Sequence, residues 1–219
     1  PPPVLDAADS CFAQIDLDAP GRLYMGISSA GRSPKYAFQR SIGALLYHAS
    51  PQTETLTVDE CDPYWTVVAY FNTLRELGGA LVMMYDDVQA TMDSISQLLE
   101  KPVRSEMSHL ELSSRVDAAD IPQYVLELER PYPEQTISVA LATNMISVGV
   151  DIPRLGAMVI NGQPKSMAEY IQASARVGRG ALAGVVLTVL NHRRARDRAH
   201  FESFRPWHQK LYASVEPVS

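Results

Sequence analysis

Short β-branched or apolar runs alternate along this chain with stretches whose apolar residues return every three or four positions, and that alternation constrains the fold more than any other feature. Strand-like runs fall at Leu23–Ile27, Thr66–Phe71, His109–Leu112, Ile137–Leu141, Leu155–Ile160 and Gly184–Leu190. Helical stretches fall at Lys35–His48, Leu74–Leu99, Ala118–Arg130, Met167–Arg176 and, broken at Pro206, Arg194–Tyr212. Strands separated by helices pair in parallel, because a crossover must carry the chain back along the sheet. The order predicts an α/β fold of three layers, α/β/α, with a mostly parallel sheet. Polar residues at the strand ends, Asn72, Arg115, Thr143-Asn144 and Asn161-Gly162, are expected along one edge with the motif-bearing turns, where open sheets of this kind bind ligands.

Local signals refine the elements. Ser166 and Glu169 form the two halves of a capping box for the helix that starts at Met167, and Asn72-Thr73 is placed to cap the helix after the second strand. Leu74, Leu77, Leu81, Tyr85, Val88, Met92, Ile95 and Leu99 keep helical spacing throughout, with Gly78-Gly79 as a possible irregularity. That periodicity decides against a strand ending in metal-binding carboxylates, so Asp86 and Asp87 are expected on a helix surface. Gly26 to Ser33 reads G-x-x-x-x-G-R-S, one substitution from a phosphate-binding P-loop. Arg32 stands where the compact lysine belongs, and Pro34 removes a backbone donor, so the stretch is read as a turn and a helix start.

With 219 residues, 46% of them hydrophobic, the chain suffices for one good-sized core. The expected division is an extended, Pro-rich and acidic segment at 1–20, a domain at 21–205, and an extension at 206–219 leading into further polypeptide. There is no basic-then-apolar leader, and no apolar run reaches the eighteen or so residues of a membrane span. Cys11 and Cys61 have no C-x-x-C spacing and no His near them in sequence, which points to a reducing compartment, the cytoplasm, and to no metal site. A net charge of −6 and a pI near 5.4 argue against holding nucleic acid by bulk electrostatics. The one basic concentration runs from Arg176 to Arg198, and its Arg193-Arg194-Ala-Arg196-Asp-Arg198 part reads as a solvated helix face, with a phosphate-contacting or interdomain face as the other reading.

Two stretches carry a resemblance. ATNMISVGVDIP, residues 142–153, and QASARVGR, residues 172–179, are similar to motifs V and VI of superfamily 2 helicases. Gln172, Arg176, Gly178 and Arg179 match the second pattern, whereas Ala173 and Ala175 stand where many members carry Arg and Gly. The wording from Tyr64 to Asn191, and less specifically Gly21 to Tyr47, resembles the helicase subunit of DISARM phage-defence systems. The resemblance implies the second RecA-like domain of an ATP-dependent DNA helicase or translocase, with RNA as an alternative substrate. It implies Arg176 and Arg179 on the γ-phosphate, Gly149, Asp151 and Gln172 at the nucleotide, and Asn72, Arg115, Thr143 and Asn144 on nucleic acid. ATP with Mg²⁺ would be bound mainly by an N-terminal RecA-like lobe of the same polypeptide, and other defence-system subunits would be partners. The reading that competes for Arg176 and Arg179 is a helix terminus whose arginines offset the dipole. The competing function is a RecA-like scaffold that binds nucleic acid or a partner without hydrolysis.

Overall fold

The computed structural model describes residues 20–54, 56–104, 107–134, 137–144 and 151–211. The strands are β1 (Arg22–Ser28), β2 (Val67–Phe71), β3 (His109–Leu112), β4 (Val139–Ala142), β5 (Ala157–Asn161) and β6 (Gly184–Leu190). They make one sheet in the order β1-β6-β5-β2-β4-β3, and every neighbouring pair is parallel. The sheet is therefore parallel throughout, beyond the expected majority. β2, Val67-Val-Ala-Tyr-Phe71, lies between β5 and β4 with every residue buried. A central parallel strand covered on both faces has no polar side to alternate with, which is why its sequence is continuously apolar.

The helices are α1 (Pro34–His48), α2 (Val58–Trp65), α3 (Leu74–Met83), α4 (Gln89–Leu99), α5 (Ile121–Glu129), α6 (Met167–Ser174), α7 (Ala195–Glu202) and α8 (Phe204–Gln209). On one face, Phe38, Ile42 and Leu46 of α1 and Leu77, Ala80 and Met92 of α3 and α4 pack on Val67, Ala69, Phe71, Val159 and Val189. On the other, Leu128 of α5 and Met167, Tyr170 and Ala173 of α6 pack on Val68, Tyr70, Met158, Ile160 and Val186, with Trp207 of α8 against them. Each fully buried large apolar side chain contributes roughly 1.5–3 kcal/mol, so the two cores outweigh every surface interaction described below.

Three elements differ from expectation. The helix predicted from Leu74 to Leu99 is interrupted by a π-helical turn, Met84–Val88, rather than at Gly78-Gly79. The widened turn carries the buried stripe through Leu77, Ala80, Met84, Val88 and Met92, and Asp87 meets Lys35 of α1 at 3.2 Å on the surface. α2 lies in a stretch to which the sequence assigns no element; a complete capping box, Thr57 with Glu60, starts the helix despite Pro63 inside it. The C-terminal helical stretch breaks at Ser203, and Pro206 falls in the first turn of α8, where its missing N–H belongs to the amides without intrahelical partners. Residues 1–19, including Cys11, and residues 212–219 lie outside the described residues.

α8 is tied to the core by a polar chain. His208 Nδ1 lies 2.7 Å from the Phe204 carbonyl, which only accepts, so Nδ1 carries the proton and Nε2 accepts from the Tyr170 hydroxyl at 2.9 Å. Burial holds His208 below the ordinary imidazole pKa, the Phe204 carbonyl opposes this and nearby His200 adds to it; burial lowers His200 as well. A depressed folded pKa means that the unfolded chain binds more protons near pH 6, so stability is present above about pH 6.5 and is lost as pH falls below it. The midpoint of thermal unfolding should therefore fall as pH is lowered through 6.5. His208→Gln should lower the midpoint at pH 7.5 and flatten that pH dependence; an unchanged slope would place the proton uptake elsewhere.

Candidate functional site

Parallel strands put all their carboxyl ends on one edge of the sheet and all their amino ends on the other, and the residues singled out from sequence divide between the two. At the carboxyl edge, Thr73 rather than Asn72 caps α3, its hydroxyl accepting from the Glu76 amide at 3.2 Å. Asn72 instead reaches sideways: its Nδ2 donates to the carbonyls of Asn161 at 2.9 Å and Gly162 at 3.4 Å, joining the ends of β2 and β5. The Asn72 Oδ1 is buried and has no partner among the described residues. Thr143, 4% exposed, follows β4; its amide donates to Leu112 and its buried Oγ1 has no partner among the described residues. Asn144 is exposed beside it. Arg115 follows β3, and its guanidinium donates to the Leu74 carbonyl in the first turn of α3, lying against Gly78.

The expected placement of every motif-bearing turn on this edge is corrected by the arginines. α6 begins at the carboxyl edge, where Ser166 caps it by accepting from the Glu169 amide at 3.1 Å. The Glu169 carboxylate reaches back to the Lys165 amide at 3.2 Å, so the reciprocal half of the box closes one residue earlier than a capping box requires. Running against the strands, α6 delivers the turn Ala175–Arg179 to the amino edge. There the Gly178 amide donates to Leu155, just ahead of β5, at 2.8 Å. Gly178 has φ +64°, and a Cβ on it would stand 2.4 Å from the Gly184 Cα at the start of β6, so only glycine fits.

On this turn Arg179 donates from Nη1 to the Asp151 carboxylate and from Nε to the Ala175 carbonyl at 3.0 Å. The two side chains stay 34% and 54% exposed, so the pair orients the guanidinium more than it stabilises the fold. Arg176 is half-buried on the same turn, and Gln172 is exposed one turn earlier on α6. Asp151 and the two arginines thus come together, with Gln172 on the adjoining helix turn. Gly149 lies outside the described residues.

In the P-loop-like stretch the amides of Ser29 and Arg32 are bonded within the fold. Ser29 donates to Leu190, Arg32 to the Ser29 carbonyl, Tyr36 to the Ser33 hydroxyl at 3.1 Å, and the Arg32 guanidinium sits 5.4 Å from the Tyr36 ring. Within the C-terminal arginine run, Arg194 pairs with Glu76 at 3.3 Å, Arg196 donates to Pro164 and Lys165 carbonyls, and Arg198 approaches Glu202 at 4.0 Å. Among the described residues no group of three or more His, Cys, Asp or Glu is arranged to hold a metal ion, and no helix is long and apolar enough to cross a membrane.

Residues 70–181, half of the chain, match the helicase conserved C-terminal domain. The chain belongs to this helicase family. It is 44% identical to the DISARM protein DrmA of Bacillus paralicheniformis over a 224-residue alignment covering 99% of this chain and 20% of DrmA, so it spans about a fifth of that relative's length. Among solved structures it superimposes on the DUF1998 helicase MrfA bound to DNA with a TM-score of 0.58, at 13% identity over 90% of this chain and 22% of that one. It superimposes on domain 2 of the DEAD-box helicase Mss116p bound to an RNA duplex with a TM-score of 0.52, at 13% identity over 84% of this chain and 59% of that one. At such identities the likeness is one of fold, the RecA-like domain of superfamily 2 helicases.

In this helicase domain several supporting residues escaped the sequence reading. Arg154 forks onto Asp62, Nη2 to Oδ1 at 2.9 Å, and also takes the carbonyls of Asp62 and Leu128. Arg104, 2% exposed, stacks 3.9 Å from the Trp65 ring, and burial pulls its pKa down to about 10, which leaves it charged at neutral pH. Asp197, buried, accepts from the amides of Asn191 at 2.9 Å and Gln163 at 3.4 Å and joins the ends of β5 and β6. Their partners are remote in sequence, and no periodicity announces them.

The two glycines around Arg179 give a paired prediction. Gly180 has φ +60° with open space where a Cβ would stand. Gly180→Ala should cost only the left-handed backbone penalty of about 1–2 kcal/mol, whereas Gly178→Ala adds a backbone clash and should cost more than about 2 kcal/mol. Denaturant midpoints measure both, and equal losses would mean that the approach to Gly184 places no demand on position 178.

Proposed function

We propose that this domain is the C-terminal motor lobe of an ATP-dependent superfamily 2 DNA helicase or translocase, working in phage defence. It would supply arginines and nucleic-acid contacts to an N-terminal RecA-like lobe of the same polypeptide. The observation that carries the proposal is the turn Ala175–Arg179, which presents Arg176 and a partly exposed Arg179 beside Asp151 at one edge of a helicase C-terminal fold. Likeness to DrmA supports the defence role; the structural neighbours are bound to DNA in one case and to RNA in another, so the choice of DNA rests on the resemblance and is left to the assay below.

ATP with Mg²⁺, held mainly by the N-terminal lobe, supplies the phosphoanhydride bond that is broken. The donor set here fits that group: two guanidiniums three residues apart, on a turn fixed by Gly178 and open to solvent, suit the equatorial oxygens of a transferring phosphoryl group. Asp151 holds Arg179 in place through Nη1 before the lobes close, and in the closed state it would meet the ribose. Gln172 and Gly149 would flank the nucleotide. At the opposite edge, Thr143 and Asn72, whose buried hydroxyl and amide oxygen have no partner among the described residues, would meet the nucleic-acid backbone together with Asn144 and Arg115.

Hydrolysis requires the phosphate cradle and the metal ligands as well as the arginines, so the isolated chain should show no ATP turnover with or without nucleic acid. In the full-length protein with saturating DNA, Arg179→Lys keeps the charge and loses the fork. Arginine fingers are worth about 10³–10⁵ in rate, so turnover should fall by at least about tenfold while nucleotide affinity changes little. Equal turnover in the two proteins would make Arg179 an ordinary helix-end residue and the motor reading of this turn wrong. Repeating the assay with RNA separates the two substrates, and stimulation by RNA alone would overturn the DNA assignment.

A further inference from the structure

The arginine turn is held by a residue outside the matched helicase region. Where α6 ends, its last carbonyls lack intrahelical partners and need donors. The Ala175 carbonyl accepts from Arg179 Nε at 3.0 Å and from Arg22 Nη2 at 3.4 Å, and the Val177 carbonyl accepts from Arg22 Nε at 2.7 Å. Arg22 is the first residue of β1 and stands in register with Gly184 of β6. A Cβ on Gly184 would lie 3.0 Å from the Arg22 Cγ, so glycine there leaves room for the arginine stem. The turn is thereby gripped from two sides. Gly178 seats on Gly184, and the Arg22 guanidinium bonds the carbonyls on either side of Arg176. The positive head of Arg22 also opposes the negative end of the α6 dipole.

We propose that Arg22 is a positioning residue for Arg176 and Arg179, fixing the turn from the edge strand so that both guanidiniums reach a phosphate at a set height above the sheet. This rests on the reading of those two arginines as phosphate-contacting groups. Arg22 itself bonds the turn's backbone, so its loss moves the arginines without removing a ligand of the nucleotide. Small displacements of catalytic groups cost up to about a hundredfold in rate.

The test is steady-state ATP hydrolysis by the full-length protein at saturating DNA, comparing wild type, Arg22→Lys, Arg22→Gln, Arg179→Ala and the double variant Arg22→Gln/Arg179→Ala. Arg22→Gln should lower kcat by about ten- to a hundredfold and leave KM for ATP within about twofold, as expected where ground-state nucleotide contacts belong to the other lobe. Arg22→Lys, which keeps the stem and charge and reaches one carbonyl, should recover part of the loss. The double variant should be slower than Arg179→Ala by a smaller factor than Arg22→Gln slows the wild type, because only Arg176 is then left to misplace. Wild-type kcat in Arg22→Gln beside a slow Arg179→Ala would overturn the positioning role and leave the arginine reading intact. Additive losses in the double variant would overturn it too, by showing that Arg22 acts through general stability. Wild-type kcat in Arg179→Ala would overturn both.

Discussion

Parallel pairing of every strand governs the rest of this molecule. Once β1-β6-β5-β2-β4-β3 all point one way, each connection must return along a face, and the sheet acquires two edges with different chemistry. The carboxyl edge collects loop starts: Asn72, Arg115, Thr143 and Asn161. The amino edge collects what returning helices deliver, and α6 delivers Arg176 and Arg179. Asp151 is at that second edge, in contact with Arg179, whereas Thr143 follows β4 at the first. A single stretch, 142–153, therefore has one end at each edge.

Charge follows the same division. The chain as a whole is acidic, yet several of the described arginines are committed to local tasks: Arg154 to Asp62, Arg115 to a helix carbonyl, Arg196 to the loop after β5, Arg194 to Glu76. The C-terminal basic run, read from sequence as a solvated helix face or a phosphate-contacting one, is spent largely on the fold's own carbonyls and carboxylates. Arg179 shares only part of its fork and stays partly exposed, with Asp151 and the Ala175 carbonyl orienting it.

Most of the architecture was legible because burial writes itself into periodicity. β3 and β6 fall where their apolar runs do, whereas Gly178 and Arg179 stood out through the resemblance of QASARVGR to a helicase motif. What escaped had one of two causes. Some elements violate local propensity and are rescued by caps, as α2 is by Thr57 and Glu60 despite Pro63, or by a widened turn, as at Met84–Val88. Other features depend on contacts between distant residues: Arg22 meets Val177 across 155 positions, and Arg154 meets Asp62 across 92. Placing the arginine turn with the strand ends failed for a related reason, since sequence shows that a helix starts near a strand end but not that its own length carries its last turn to the other side of the sheet.

Under the proposed function the two edges serve different ligands, nucleotide at the amino edge and nucleic acid at the carboxyl edge. The most direct measurement is ATP hydrolysis by the full-length protein as a function of DNA concentration for Thr143→Val and Arg176→Ala. Thr143→Val should raise the DNA concentration for half-maximal stimulation several-fold at nearly unchanged maximal rate, because it removes one contact of roughly 1 kcal/mol to the backbone. Arg176→Ala should depress the maximal rate at an unchanged half-maximal DNA concentration. If both substitutions move the same parameter, the separation of the two edges is wrong.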